Sequence, residues 1–374
     1  MKNQKKKIIK IIILITVFIL LIAIGTLYEN NNDVKVFFDK YIFLKEKNEN
    51  DLPKILINSQ EGLSTYAYKD NILTLKNNQL IAYNEYGNEV YSLDVDISNP
   101  IFKSNGDYLC VAEKNGTKIY VISNKMILWQ KDLEGEISDI TINQKGYVAA
   151  SISGTIYKTV IQTFDNKGTK LFSKFLSTTY VMDMALSPDS KYLAIAEANI
   201  SGIIVQSNIK IISIEKAKNG EKDSIEQTYL NEDGELIIKL KYQNKNELMV
   251  FYDNHIELIK DGINTKISDF SQESVLFVDI NNKNIKIINR ENKNYLQIFD
   301  NNANNYKEYE IDEPKEICVC DNTIAINLGS EIIFYNNSGW IIKKYFATQE
   351  INKIVLSDDL AGIVYNDKIE LISL

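Results

Sequence analysis

The sequence predicts an all-β, eight-bladed β-propeller preceded by one N-terminal transmembrane helix, with seven blades as the competing count. Three observations carry that expectation. A basic cluster opens the chain and is followed by a long uncharged apolar run. From Leu52 onward, short runs of Ile, Val, Tyr and Phe alternate with clusters of Asn, Asp, Gly and Lys, the pattern of strands and turns. Similar phrases also return at multiples of about forty residues, the length of a four-stranded blade.

Residues 1–10 read as a cytoplasmic tail. Lys2, Lys5, Lys6, Lys7 and Lys10 lie there, and no acid precedes Glu29. Residues 11–28, IIILITVFILLIAIGTLY, carry no charge, and Ile8 and Ile9 lengthen the apolar stretch beyond Lys10. At about 1.5 Å per residue such a helix crosses about 30 Å of hydrocarbon. Tyr28 suits the headgroup layer at its far end. The lysines remain on the cytoplasmic side, which puts the remainder outside the cell. A cleaved signal peptide is the rival reading, because Ala23 and Gly25 have small-x-small spacing; the apolar run is long for that. Residues 29–51 form a juxtamembrane stalk, in which the apolar and aromatic residues from Val34 to Leu44 suit a short amphipathic helix.

The propeller is assigned to 52–374. Tight turns precede a Tyr-led strand in SNGDYLCVAE, NQKGYVAASI and SPDSKYLAIAE, with tyrosines at 108, 147 and 192. A second phrase places an aromatic and Asn or Asp before a Gly turn: YNEYGNEVYSL, FDNKGTKLFSKF and YNNSGWIIKKYF, with glycines at 87, 168 and 339. Laid along the chain, the unit divides it into blades at 63–94, 97–133, 136–176, 181–231, 236–268, 273–311 and 315–346. The last 24 residues supply three strands, and the run LPKILIN at 52–58 supplies a fourth that closes the ring. Closure leaves no open sheet edge to invite aggregation.

Composition narrows the chemistry. Net charge is −8, and the basic tail makes the remaining body more acidic still, which disfavours nucleic acid. Cys110, Cys318 and Cys320 are read as free thiols; with His255 the only histidine, neither a zinc site nor a Ser-His-Asp triad is expected. His255 itself reads as a turn residue before a strand, and the charged stretch 215–227 as a solvated excursion. Arg290 is the only arginine, and no Gly-rich phosphate loop is present. No cofactor, metal or catalytic residue is assigned. Paired carboxylates of an envelope glycan hydrolase remain as the alternative.

The connections between second and third strands of blades three and four stand out, as SISGTIYK and EANISGIIVQSNIK. Both carry Ser-Gly and share one face of the ring, where binding residues concentrate on loops held by a rigid scaffold. Ser153, Gly154, Thr155, Tyr157, Glu197, Asn199, Ser201, Gly202, Gln206 and Ser207 form the candidate partner-binding face. The competing reading is a pair of long strands with a Gly-containing bulge.

With KVFFDKYIF, DVDISNPIF, LCVAEKNGTKIYVIS, SGTIYKTVIQTFD and ALSPDSKYLAIAEANISGIIVQSNIKIISIEKAKNG in view, the chain resembles a family of clostridial-type single-pass membrane proteins of unknown function. The resemblance implies an extracytoplasmic WD-repeat-like or quinoprotein-like propeller and supplies no catalytic residues. With two tryptophans, the chain lacks the Trp-docking repeats of true quinoproteins, so no quinone is expected. The expected function is a membrane-anchored binding or scaffold module with a protein partner in the cell envelope.

Overall fold

The computed structural model describes residues 16, 25–26, 52–57, 63–202, 205–231, 234–269, 274–279, 285–299, 306–320, 323–357 and 359–374. The expected tail, transmembrane run and stalk lie outside these, save that Thr16, Gly25 and Thr26 are helical. Among the described residues no helix is long and apolar enough to cross a membrane. The chain divides into two units, Met1–Leu52 and Pro53–Leu374.

The second unit is an eight-bladed propeller: eight antiparallel sheets of four strands each. Blades one to seven follow the chain as simple meanders, with strands spanning 64–94, 100–132, 137–176, 180–230, 237–269, 274–311 and 316–346. First strands of successive blades lie side by side around the axis, as in Pro100–Asn105, Ile137–Ile142 and Tyr180–Leu186. Blade eight takes Lys353–Leu356, Leu360–Val364 and Lys368–Ser373 from the C-terminus and Lys54–Leu56 from the beginning of the unit. Lys54 pairs with Glu370, Ile55 with Ile369 and Leu56 with Lys368. Flanking bonds from Leu371 N–H to the Pro53 carbonyl (2.9 Å) and from Ile57 N–H to the Asp367 carbonyl (2.8 Å) extend the pairing.

Burial explains the repeated phrases. A second strand is covered on both faces, so it is apolar throughout rather than alternating. In YLCVAE, Leu109 and Val111 pack with Leu73 and Leu80 of blade one, while Cys110 and Ala112 pack with Ile140 and Val148 of blade three. In YLAIAE, Leu193 and Ile195 face blade three and Ala194 and Ala196 face blade five. Ile72 of blade one meets Val355 and Ile369 of blade eight, closing the core as a circle. Cys110 is fully buried, and burial pushes its thiol well above the usual range.

The Gly turns join third to outer strands. Asp165 Oδ1 accepts from the backbone N–H groups of Lys167 (2.9 Å) and Thr169 (2.8 Å), and Gly168 takes φ +79°. The turn lies flat on the outer strand of the preceding blade: a Cβ on Gly168 would sit 2.8 Å from the Trp129 ring. Blade seven repeats this with Asn336, Gly339 and the ring of Tyr309. The motif is therefore a packing device between blades.

The charged stretch 215–227 is largely exposed, as expected of a solvated excursion, and it is also ordered by local structure. Ser213 caps a short helix, Ile214–Lys218, whose Ile214 is buried. Lys216 then pairs with Glu226 at 3.1 Å, tying this helix to the outer strand.

Candidate functional site

In an antiparallel meander, second-to-third loops and the connections to the next blade share one face of the ring. The blade-three loop follows Val148–Ser153 and precedes Thr159–Phe164. The Ser153 hydroxyl accepts from Glu136 N–H (3.0 Å), which pins the loop's first residue. Gly154 is required where it stands, because a Cβ would lie 2.5 Å from the Tyr157 carbonyl oxygen. Thr155 and Tyr157 are exposed, and the Tyr157 ring packs on Phe175 at 4.9 Å.

In blade four the hairpin continues in unbroken register from Tyr192–Ser213 to Asn199–Gln206, with no bulge. Asn199 Oδ1 accepts from the Ser201 N–H (3.0 Å) and hydroxyl (2.6 Å), forming the turn. Ser201, Gly202 and Gln206 are exposed. Glu197 and Ser207, expected on the binding face, are buried instead. The extra pairs lengthen the strands and carry both side chains inside. Ser207 donates to the Glu235 carbonyl at 2.5 Å, and Glu197 is held by the Lys210 ammonium and the Thr179 hydroxyl.

Around these loops lies a set of apolar side chains that the sequence reading did not single out. Ile156 is 90% exposed, Leu230 70%, Ile200 55% and Phe175 52%; Tyr180 lies beside them with the Lys158 ammonium 4.7 Å over its ring. Soluble surfaces rarely gather apolar groups this way unless something covers them.

The inner strands of blades three to six share a bulge at one level, with register shifts at Ile137/Asp139, Val181/Asp183, Ile237/Lys239 and Val275/Phe277. The bulge turns Met182, Ile238 and Leu276 outward. One residue on stand Asp139, Asp183 and Lys239. Asp183 is buried, and its Oδ2 accepts from Leu240 N–H at 2.7 Å. Burial raises its carboxyl to about 6, with Asp139 adding to the rise and Lys103 and Lys239 opposing it. The phrases ISDI, VMDM and IIKL mark this level in the sequence, but the change of sign conceals the repeat.

His255 is no turn residue. It opens the strand His255–Lys260, is 2% exposed, and stacks on Tyr252 at 4.1 Å. Its Nδ1 lies 3.6 Å from Glu235 and its Nε2 3.2 Å from Glu257. Among the described residues no group of His, Cys, Asp and Glu could hold a metal ion.

No curated protein matches the chain in sequence. Among solved structures it is similar to BamB from Moraxella catarrhalis, with 10% identity and a TM-score of 0.52 over 86% of this chain and 97% of that one. It is similar also to the dihydro-heme d1 dehydrogenase NirN in complex with DHE, with 9% identity and a TM-score of 0.53 over 88% of this chain and 77% of that one. At such identities the likeness shows the propeller fold alone. Residues 44–374 match the model of DUF5711, a family of unknown function, and the chain belongs to that family.

Proposed function

We propose that the chain is a membrane-anchored binding module whose propeller is held outside the cell by the apolar segment 11–28. The lysine cluster and the uncharged run behind it support the anchor and its orientation. The observation that carries the binding role is the exposed apolar set Ile156, Tyr157, Phe175, Tyr180, Ile200 and Leu230 on one face of blades three and four. The partner on this face is an envelope protein. Rigid sheets hold the loops, so little ordering entropy is lost on docking.

A photo-crosslinking side chain placed at Ile156 or Ile200 in intact cells tests the reading. Both positions should give the same adduct with an envelope protein. Met126, exposed just after a turn on the opposite face, serves as the control and should not give it. Adducts with cytoplasmic proteins alone would overturn the orientation.

The hydrolase alternative draws on Asp139 and Asp183, neighbouring inner-strand acids of which one is raised towards neutrality. Against it stand the burial of Asp183, its bond to a backbone N–H, and the two lysines beside it, the marks of a structural group. Release of reducing ends from peptidoglycan by the wild type and not by Asp139→Asn would favour the hydrolase.

A further inference from the structure

We infer that the propeller rests on the bilayer surface through the face formed by its first-to-second and third-to-outer turns, with Ile263, Tyr306 and Trp340 of blades five to seven entering the lipid headgroup layer. The inference rests on the anchor proposed above, and it turns the loops of blades three and four away from the membrane.

The chain joins the ring on this face. Lys54–Leu56 runs antiparallel to Lys368–Ser373, so Pro53 lies level with Leu371, at the end of blade eight where the chain stops. Leu374 N–H donates to the carbonyl of Asp359, in the first-to-second turn of that blade, at 3.0 Å. A Cβ on Gly87, in the third-to-outer turn of blade one, would lie 3.3 Å from the Lys54 carbonyl oxygen. Pro53, from which the chain continues back to the apolar run 11–28, is therefore set among these turns.

The outer strands also open here, and their first residues differ around the ring. Bonds from the backbone N–H groups of Asn84, Asp165 and Asn336 to the carbonyls of Asn88, Thr169 and Trp340 mark equivalent positions in blades one, three and seven. Met126 pairs with Ser123, Ile263 with Lys260 and Tyr306 with Phe299 at the same place in blades two, five and six. Blades one and three are polar there. Blades five, six and seven, which lead up to blade eight, are apolar and exposed, with Ile263 at 70%, Tyr306 at 51% and Trp340 at 71%; Met126 at 60% repeats this in blade two. The Lys307 ammonium and the Tyr309 hydroxyl both donate to the Ser338 carbonyl, at 3.3 and 3.0 Å, which sets the Trp340 turn against the strand that Tyr306 opens. Trp and Tyr favour the headgroup layer, where an apolar ring and a polar tip are both satisfied.

Charge separates the two faces. The connections between blades lie on the far face and carry Asp96, Glu134, Glu136, Asp312, Glu313 and Glu350, with Lys315 their only lysine. The near turns set Lys125, Lys145, Lys167, Lys191 and Lys245 among their acids. An anionic bilayer repels the first pattern and tolerates the second. A protein partner would call for apolar groups gathered in one patch. Here they stand one to a blade at equivalent positions, which suits a flat lipid surface.

Trp340 is one of two tryptophans, and the other, Trp129, is buried, so quenching by lipid reports on Trp340. The full chain is reconstituted into vesicles of phosphatidylglycerol and phosphatidylcholine, with and without phosphatidylcholine that carries a nitroxide on its headgroup. Emission should fall in the labelled vesicles. Trp340→Phe should abolish the fall, while persisting Trp129 emission shows that the ring is folded. In the Trp340→Phe background, Tyr306→Trp and Ile263→Trp should restore the quenching, and Ile156→Trp, on the far face, should not. Quenching of Ile156→Trp but not of Trp340 would stand the ring on its other face and overturn the inference. Equal emission in both vesicles, from protein that floats with the lipid, would hold the ring clear of the bilayer; the anchor would survive and the docking would not. Protein that floats with neither vesicle would overturn the anchor and the docking together.

Discussion

The carboxylate of Asp183 in blade four accepts a 2.7 Å hydrogen bond from the backbone N–H of Leu240 in blade five. One side chain thereby ties two inner strands whose own backbones belong to different sheets. The arrangement has an electrostatic cost. The folded carboxyl titrates at about 6 against an ordinary 3.8, so between those values the folded state holds a proton that the unfolded chain has lost. Stability should fall as pH rises from about 4 to about 6 and level off above. The gap is worth on the order of 3 kcal/mol at neutral pH. Asp183→Asn keeps a carbonyl oxygen for Leu240 and removes the buried charge. Denaturant melts should show it more stable than wild type at pH 7 and equal to it near pH 4. A loss of stability at both pH values would mean that Lys103 and Lys239 more than repay the burial.

Ring closure makes an equally local prediction. Ile55 is 8% exposed and packs against blades eight and one, while its neighbour Leu56 is 80% exposed. Ile55→Ala should cost about 2–4 kcal/mol, whereas Leu56→Ala should be nearly neutral. The two substitutions have similar chemistry and differ only in the face of the strand. Equal thermal melts for both would contradict the pairing of Lys54–Leu56 with Lys368–Glu370.

The Gly turns permit backbone and packing effects to be separated. Gly220 and Gly339 have similar φ values, +75° and +79°. A Cβ on Gly220 meets nothing within 4 Å, while one on Gly339 would lie 2.2 Å from the Tyr309 ring. Gly220→Ala should therefore cost about 1 kcal/mol for the left-handed backbone alone. Gly339→Ala should cost clearly more, and Tyr309→Ala in that background should recover part of the excess. Matching losses for the two alanines would show that the turn does not press on the preceding blade.

The architecture was legible in the sequence because its devices are local. A turn glycine, the Asx residue before it and a strand buried on both faces each occupy fewer than a dozen residues, so they recur as words. The position of the second-to-third loops of blades three and four was legible for the same reason. Which loop side chains face out was not. Glu197 and Ser207 are carried inside by two further pairs of the hairpin, and their partners Lys210, Thr179 and Glu235 lie 13 to 28 residues away in sequence. The inner-strand charges share one position but not one sign, and the bulge that sets their level depends on pairing with the next strand. Exposure of Ile156 and Leu230 is a property of the assembled ring, and an isoleucine in a strand-rich sequence gives no hint of it.

Lys210 pairs with the buried Glu197, and Lys174 lies on the side of blade three that faces blade four, in the field of both, which makes a prediction about stability that is independent of any partner. Removing one member of a buried pair leaves the other charge uncompensated, at about 3–5 kcal/mol. Lys210→Met should cost less than that, because Lys174 already faces Glu197 and can replace the lost ammonium. Lys174→Met alone should be close to neutral, since Glu197 keeps both its partners. The double variant should then cost more than the two single losses added, the signature of two groups standing in for each other. Glu197→Gln in the double variant should restore much of the stability by removing the orphaned charge. Strict additivity in urea melts would mean that Lys174 does not reach Glu197.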